Sequence, residues 1–151
     1  MDTAWLLVAH KSGAQIFEKR GRDLSLLREI PHDEGRLQDR ELGAGGPGRD
    51  VERQGKGRHA LGRERQRAIE SENMRFIRQL AGLLEDGRVH NRFSKLVLVA
   101  EPRFLGEMRA ALTPETGALI STTQGKDLAW MDTQAIKEYL QDITWPPPRQ
   151  H

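Results

Sequence analysis

Two short apolar runs constrain this chain more than any other feature. Thr3 to Ala9 reads TAWLLVA and Lys95 to Ala100 reads KLVLVA. Both are short and β-leaning, and neither alternates with polar residues along its length. A run of this kind is the mark of a strand covered on both faces. Helices packed on the two sides of a sheet are the usual cover.

The segments between and around these runs supply the remaining elements. Lys11-Ser12-Gly13 is a turn signal, and Ala14 to Lys19 (AQIFEK) alternates as a half-buried strand does. Gly21-Arg22-Asp23 is a second turn, followed by Leu24 to Ile30 (LSLLREI) and a closing Pro31. Two tight links between three strands predict an antiparallel meander. A helical pattern begins near Arg63, with Ile69, Phe76, Ile77, Leu80 and Leu84 on one face and Gly87 as its end. After the second run, Pro102 opens a short helix carrying Phe104, Leu105, Met108 and Leu112, interrupted at Thr113-Pro114. Ala118 to Thr123 (ALISTT) reads as a strand, and Gly125-Lys126-Asp127 as a turn. Asp132 or Thr133 caps a last helix that turns Ile136, Tyr139, Leu140 and Ile143 inward. The predicted class is α/β: a single mixed sheet, meander first and then strands alternating with helices, flanked by helices. One domain is expected over residues 1–143, with 144–151 as a loose tail around Pro146-Pro147-Pro148.

From His32 to Gly62 no periodicity survives, and a connection this long inside one domain is expected to be functional or unstructured. Seven of the fifteen glycines fall between Gly43 and Gly62. From Arg49 to Arg67 seven Lys/Arg face three Asp/Glu, a local charge of +4 in a chain whose total is +2. The basic pI therefore describes a patch, not a generic polyanion binder. Arg63, Arg65 and Arg67 crowd what reads as the first helical turn, where the dipole disfavours cations and where a bound anion would be welcome. The candidate RNA- or anion-binding residues are Arg49, Arg53, Lys56, Arg58, His59, Arg63, Arg65 and Arg67.

Other chemistries are poorly served. Gly43-Ala-Gly45-Gly-Pro-Gly48 spells G-x-G-x-x-G, but no strand precedes it directly and no helix opens on it. Gly55-Lys56 lacks the Ser/Thr and the distant glycine of a P-loop. No cysteine exists, the five histidines are scattered, and no serine sits in a nucleophile elbow. Neither a catalytic residue, a metal site nor a cofactor is expected. Asp33, Glu34, Asp39 and Glu41 offer loop carboxylates for a metal-assisted hydrolase, weighed below a solvated loop face. No apolar run approaches the roughly 18 residues of a membrane helix, and MDTAWLLVAH opens with an acid where a secretion signal needs a basic region. The expectation is a cytoplasmic protein without a membrane partner.

Taken in order, WLLVA (Trp5 to Ala9), IPHDEGRL (Ile30 to Leu37), PGR (Pro47 to Arg49), GKGRHA (Gly55 to Ala60), LVLVAEPRFLGEMR (Leu96 to Arg109) and KDL (Lys126 to Leu128) resemble the host attachment protein family. The resemblance runs from about Ala4 to Ile143. It departs at Gly45-Gly46, where the family often has Asp-Arg, and at Asp33, where Pro is usual. That family is in turn similar to the middle domain of archaeal and eukaryotic class-one peptide release factors. The resemblance implies the same fold, a basic glycine-rich loop feeding an Arg-rich helix, and a ribosome-facing surface. The release factor's hydrolytic Gly-Gly-Gln is not implied, because this loop offers only Gly45-Gly46-Pro47 and Arg53-Gln54-Gly55. The leading expectation is a non-enzymatic protein that contacts RNA or the ribosome. The alternatives are a protein-binding adhesion or signalling component and the hydrolase above.

Overall fold

The first thirty residues form the meander that their turns predict. In the computed structural model β1 (Thr3–His10), β2 (Gly13–Arg20) and β3 (Asp23–Pro31) pair antiparallel in sequence order. Gly21, at φ +61°, opens the two-residue turn between β2 and β3, a position where a side chain would be strained. The structure describes residues 2–32 and 56–144, with side chains in the second block from residue 62 onward. The predictions for residues 33–55, including Asp33, Glu34, Asp39 and Glu41, and for the tail at 145–151 lie outside the described residues.

The second block supplies α1 (Lys56–Val89), β4 (Lys95–Ala100), α2 (Pro102–Ala111), α3 (Pro114–Gly117), β5 (Ile120–Gly125) and α4 (Thr133–Thr144). The sheet runs β3-β2-β1-β4-β5, with β4 parallel to β1 and β5 parallel to β4. The predicted single mixed sheet is the one found. Its two apolar runs are the central strands, and both are buried on two faces. Trp5, Leu7, Ala9, Leu96, Leu98 and Ala100 pack with α1 and α2. Their alternates Leu6, Val8, Val97 and Val99 pack with Ile136 and Leu140 of α4. A period of two sends neighbouring side chains to opposite layers, which is why neither run could alternate with polar residues.

Three boundaries differ from the sequence reading. α1 begins at Lys56, not near Arg63, so Gly57 and Gly62 lie within a helix. A helical glycine costs about 1 kcal/mol against alanine, which Arg, Ala, Leu, Glu and Gln neighbours can absorb. α1 also continues through Gly87 to Val89. Its stop is Asn91 at φ 57°, with Asn91 N–H on Arg88 O at 2.9 Å and Arg92 N–H on Gly87 O at 2.8 Å. These are the paired bonds of a Schellman cap with Asn in the left-handed position. Gly87 serves packing instead: a Cβ there would stand 2.6 Å from the Trp5 ring and 3.0 Å from Phe93. Finally, β5 starts two residues later than the ALISTT reading because Pro114–Gly117 takes a helical turn, capped by Thr113, before the strand begins.

Candidate functional site

The carboxyl ends of β1, β4 and β5 open into a crevice of about 660 Å³ beneath α1 and beside α2. Ligands of open α/β sheets bind at this end, where chain connections diverge to left and right. Here they diverge between β1, which leads to β2, and β4, which leads to β5. His10, Glu101 and Asp127 follow the strand ends, while Gln66, Glu70 and Asn73 come from α1 and Arg103 and Glu107 from α2.

Much of this crevice is already bonded within the fold. Glu101 Oε1 accepts the Phe104 N–H at 2.7 Å and so caps α2, whose first position is Pro102. Asp127 Oδ1 accepts the Ala129 N–H at 2.9 Å. Arg103 reaches Glu70 and Glu107, each at 3.5 Å, and Gln66 donates to Glu70 at 3.1 Å. His10 Nδ1 accepts the Ser12 N–H at 3.2 Å. Four carboxylates against Lys11 and Arg103 leave the crevice anionic. Among the described residues no three His, Asp or Glu side chains converge on a metal position.

The predicted basic residues lie elsewhere. Arg49 and Arg53 fall outside the described residues. Lys56, Arg58 and His59 occupy the start of α1. Arg63, Arg65 and Arg67 are not in the first turn, as their crowding suggested, but at the eighth to twelfth positions of the helix. Their backbone N–H groups therefore bond to carbonyls four residues back and are not free for an anion. What the structure does show is exposure: every residue from Gly62 to Ala68 is on the surface. Burial on α1 begins with the half-buried Ile69 and becomes complete at Phe76 and Ile77. A helix of 34 residues is about 51 Å long, against about 27 Å for an eight-residue strand, so its first part extends past the sheet. Arg63 stands one turn before Gln66 on the row that passes through Glu70 and Asn73 to Ile77, so it lies on the crevice side of the helix, whereas Arg65, two residues on, turns to the opposite side.

Two residues at this end carried no functional weight in the sequence reading. His32, read there as the start of the loop, is 3% exposed and belongs to the fold. Its Nδ1–H donates to Lys11 O at 2.6 Å, because a carbonyl can only accept, and its ring stacks on Phe76 at 4.2 Å. Nε2 lies 3.5 Å from Glu72, an ion-pair distance at which no hydrogen bond forms. Trp130 is the reverse case, 81% exposed on the turn between β5 and α4. Its signal was an apolar residue off the helical row of Ile136 and Leu140.

The fold and this end of it define a class: a mixed α/β domain with a strand-end crevice and a basic helix running beyond it. The family described as "Protein required for attachment to host cells" matches residues 5–140, and the chain belongs to that family. Among solved structures the chain is similar to one titled "Archaeal protein", at 12% identity and a TM-score of 0.49, covering 93% of this chain and 33% of that one. It is also similar to an archaeal translation termination factor, aRF1, at 10% identity and a TM-score of 0.46, covering 95% of this chain and 41% of that one. The chain thus spans well under half of either structure. No curated protein matches it.

Proposed function

We propose that this chain is a non-enzymatic binding protein that contacts RNA, free or on the ribosome, through the basic first part of α1. One observation carries the reading: Gly62 to Ala68 is helical, exposed throughout and carries three arginines against one glutamate, while making no contribution to the core. A helix that is polar all round contributes nothing to burial, and its usual uses are solvent bridging or recognition. Arginine forks spaced along such a helix suit phosphate oxygens without needing free backbone donors. The anionic crevice directs a polyanion to the helix and away from the strand ends.

Arg63→Gln/Arg65→Gln/Arg67→Gln keeps polarity and helix propensity, so the fold survives. Sedimentation with ribosomes and anisotropy with labelled RNA measure the effect. Binding is expected to weaken sharply, and the log–log salt slope to flatten by about 2, at roughly 0.7 per lost single-strand phosphate contact. A variant that binds as tightly as the parent refutes the assignment to α1. No association at low salt refutes RNA as the partner and leaves a protein partner in its place.

A further inference from the structure

We infer that the pocket between the edge strand β3 and α1 binds a small carboxylate with an apolar body. It shares no described lining residue with the strand-end crevice, and the inference does not depend on the RNA reading of α1. Its volume is about 330 Å³. That is the small end for ligand pockets, which run from roughly 300 to 1000 Å³. Among the described residues Trp5, Ile16, Leu27 and Leu83 form its apolar walls, and Arg28, Arg92 and Asp86 supply its charges. An irregularity in β3 builds one side. Ile16 pairs with Arg28 and Phe17 with Leu26, so Leu27 is an extra residue on the edge strand. Neighbours on a regular strand point to opposite faces. Leu27 and Arg28 nevertheless line one pocket, which a bulge allows. Leu27 is 45% exposed while Trp5 and Ile16 belong to the buried core, so the walls pass from core to solvent.

The charges select the ligand. Asp86 already has His90 beside it, with Nδ1 at 3.4 Å. Arg28 and Arg92 come from different elements, β3 and the link from α1 to β4. Among the described residues neither guanidinium meets a carboxylate or another acceptor. Two unpaired guanidinium groups beside apolar walls suit an anion that carries its own apolar surface, and a planar carboxylate fits a guanidinium fork. The Trp5 N–H is given to Glu18 Oε2 at 3.4 Å, so the indole offers the pocket carbon and no donor. Inorganic phosphate would leave the apolar walls wet. An extended peptide is also a poor occupant, because adding a strand to β3 needs an unbroken row of backbone partners and the bulge at Leu27 interrupts it.

The test titrates the full chain by calorimetry with octanoate, octanol and octylammonium at neutral pH and equal ionic strength. Octanoate should bind about tenfold tighter than octanol, the worth of one charge-assisted contact, with octylammonium the weakest. Arg28→Gln/Arg92→Gln should remove that preference and leave octanol binding where it was. Leu27→Asn should weaken octanoate and octanol alike, by roughly threefold to tenfold. An equal charge change outside the pocket, Arg78→Gln/Arg109→Gln, should do neither. Leu27, Arg28 and Arg92 are exposed, so unchanged circular dichroism should verify the fold of each variant. Octanoate binding no tighter than octanol or octylammonium overturns the inference, as does a double Gln variant that binds octanoate like the parent. Equal loss from the outside pair overturns it too, because the effect would then be diffuse charge. Absence of binding by all three compounds overturns it whatever the outcome of the arginine test on α1.

Discussion

Gly87 shows how much one missing methyl group can decide. Trp5 lies across α1 at this point and pairs with Phe93, ring centroids 4.9 Å apart, so the indole and the phenyl share the space above the glycine. Helix propensity alone would favour alanine by about 1 kcal/mol. The added Cβ would meet Trp5 ring carbons at 2.6 and 2.7 Å, and the ring is 7% exposed with little room to retreat. Overpacking of this kind costs about 1–3 kcal/mol, so the clash should win. Gly87→Ala is expected to lower the urea midpoint, with a net destabilisation of up to about 2 kcal/mol. Trp5→Leu made in the same chain should relieve part of it. Additive losses in that double-mutant cycle would show that the ring is not what excludes the side chain.

At the scale of elements, the short α3 is fastened to α1 by one carboxylate. Glu85 accepts from Arg88 of its own helix, from the buried Thr116 Oγ1, and from Thr113 Oγ1 at 2.8 Å. The Arg88 hydrogen bond first, then those of Thr116 and Thr113, lower its pKa from 4.5 to about 2. A depressed carboxylate contributes stability that is present above its unfolded value and lost as pH falls through its folded one. The Glu85→Gln variant should therefore be less stable than the parent at neutral pH. The gap should close between about pH 4.5 and pH 2, as followed by urea unfolding at each pH. A pH-independent gap would assign the role to shape and not to charge. This fastening was not legible in the sequence, because Glu85 and Thr116 are 31 residues apart and look like ordinary surface residues. The strands were legible for the opposite reason: burial on both faces leaves an unmistakable apolar run. The arginines of α1 could be named as candidates, yet their setting was misread, since Gly57 and Gly62 imitate a loop. The crevice was not read at all. Its residues come from three strand ends and two helices, and only the parallel pairing of β1, β4 and β5 brings them together.

For the whole molecule, α1 divides the structure into a part that must hold and a part that need not. From Phe76 onward the helix covers the central strands, and its unfolding would open the core. From Gly62 to Ala68 every residue is exposed and none joins the core. Isolated helical turns are marginal in water, so this segment should open locally, at a free energy well below that of global unfolding. Gly62 separates the two behaviours, because among the described residues a Cβ there would meet no atom within 4 Å. Gly62→Ala should therefore deliver its helix-propensity gain, about 0.5–1 kcal/mol, without a packing term. That gain should appear where the glycine acts: amide exchange across residues 62–68 should slow by roughly two- to fivefold, and ellipticity at 222 nm should rise slightly. The global urea midpoint should stay where it is, since the opening of this segment does not expose the core. Gly87→Ala should do the reverse, shifting the midpoint and leaving exchange near Gly62 unchanged. If Gly62→Ala instead raised the global midpoint by the full amount, the arginine segment would be part of the cooperative fold. Recognition by α1 would then occur on a rigid rod and carry no local ordering cost.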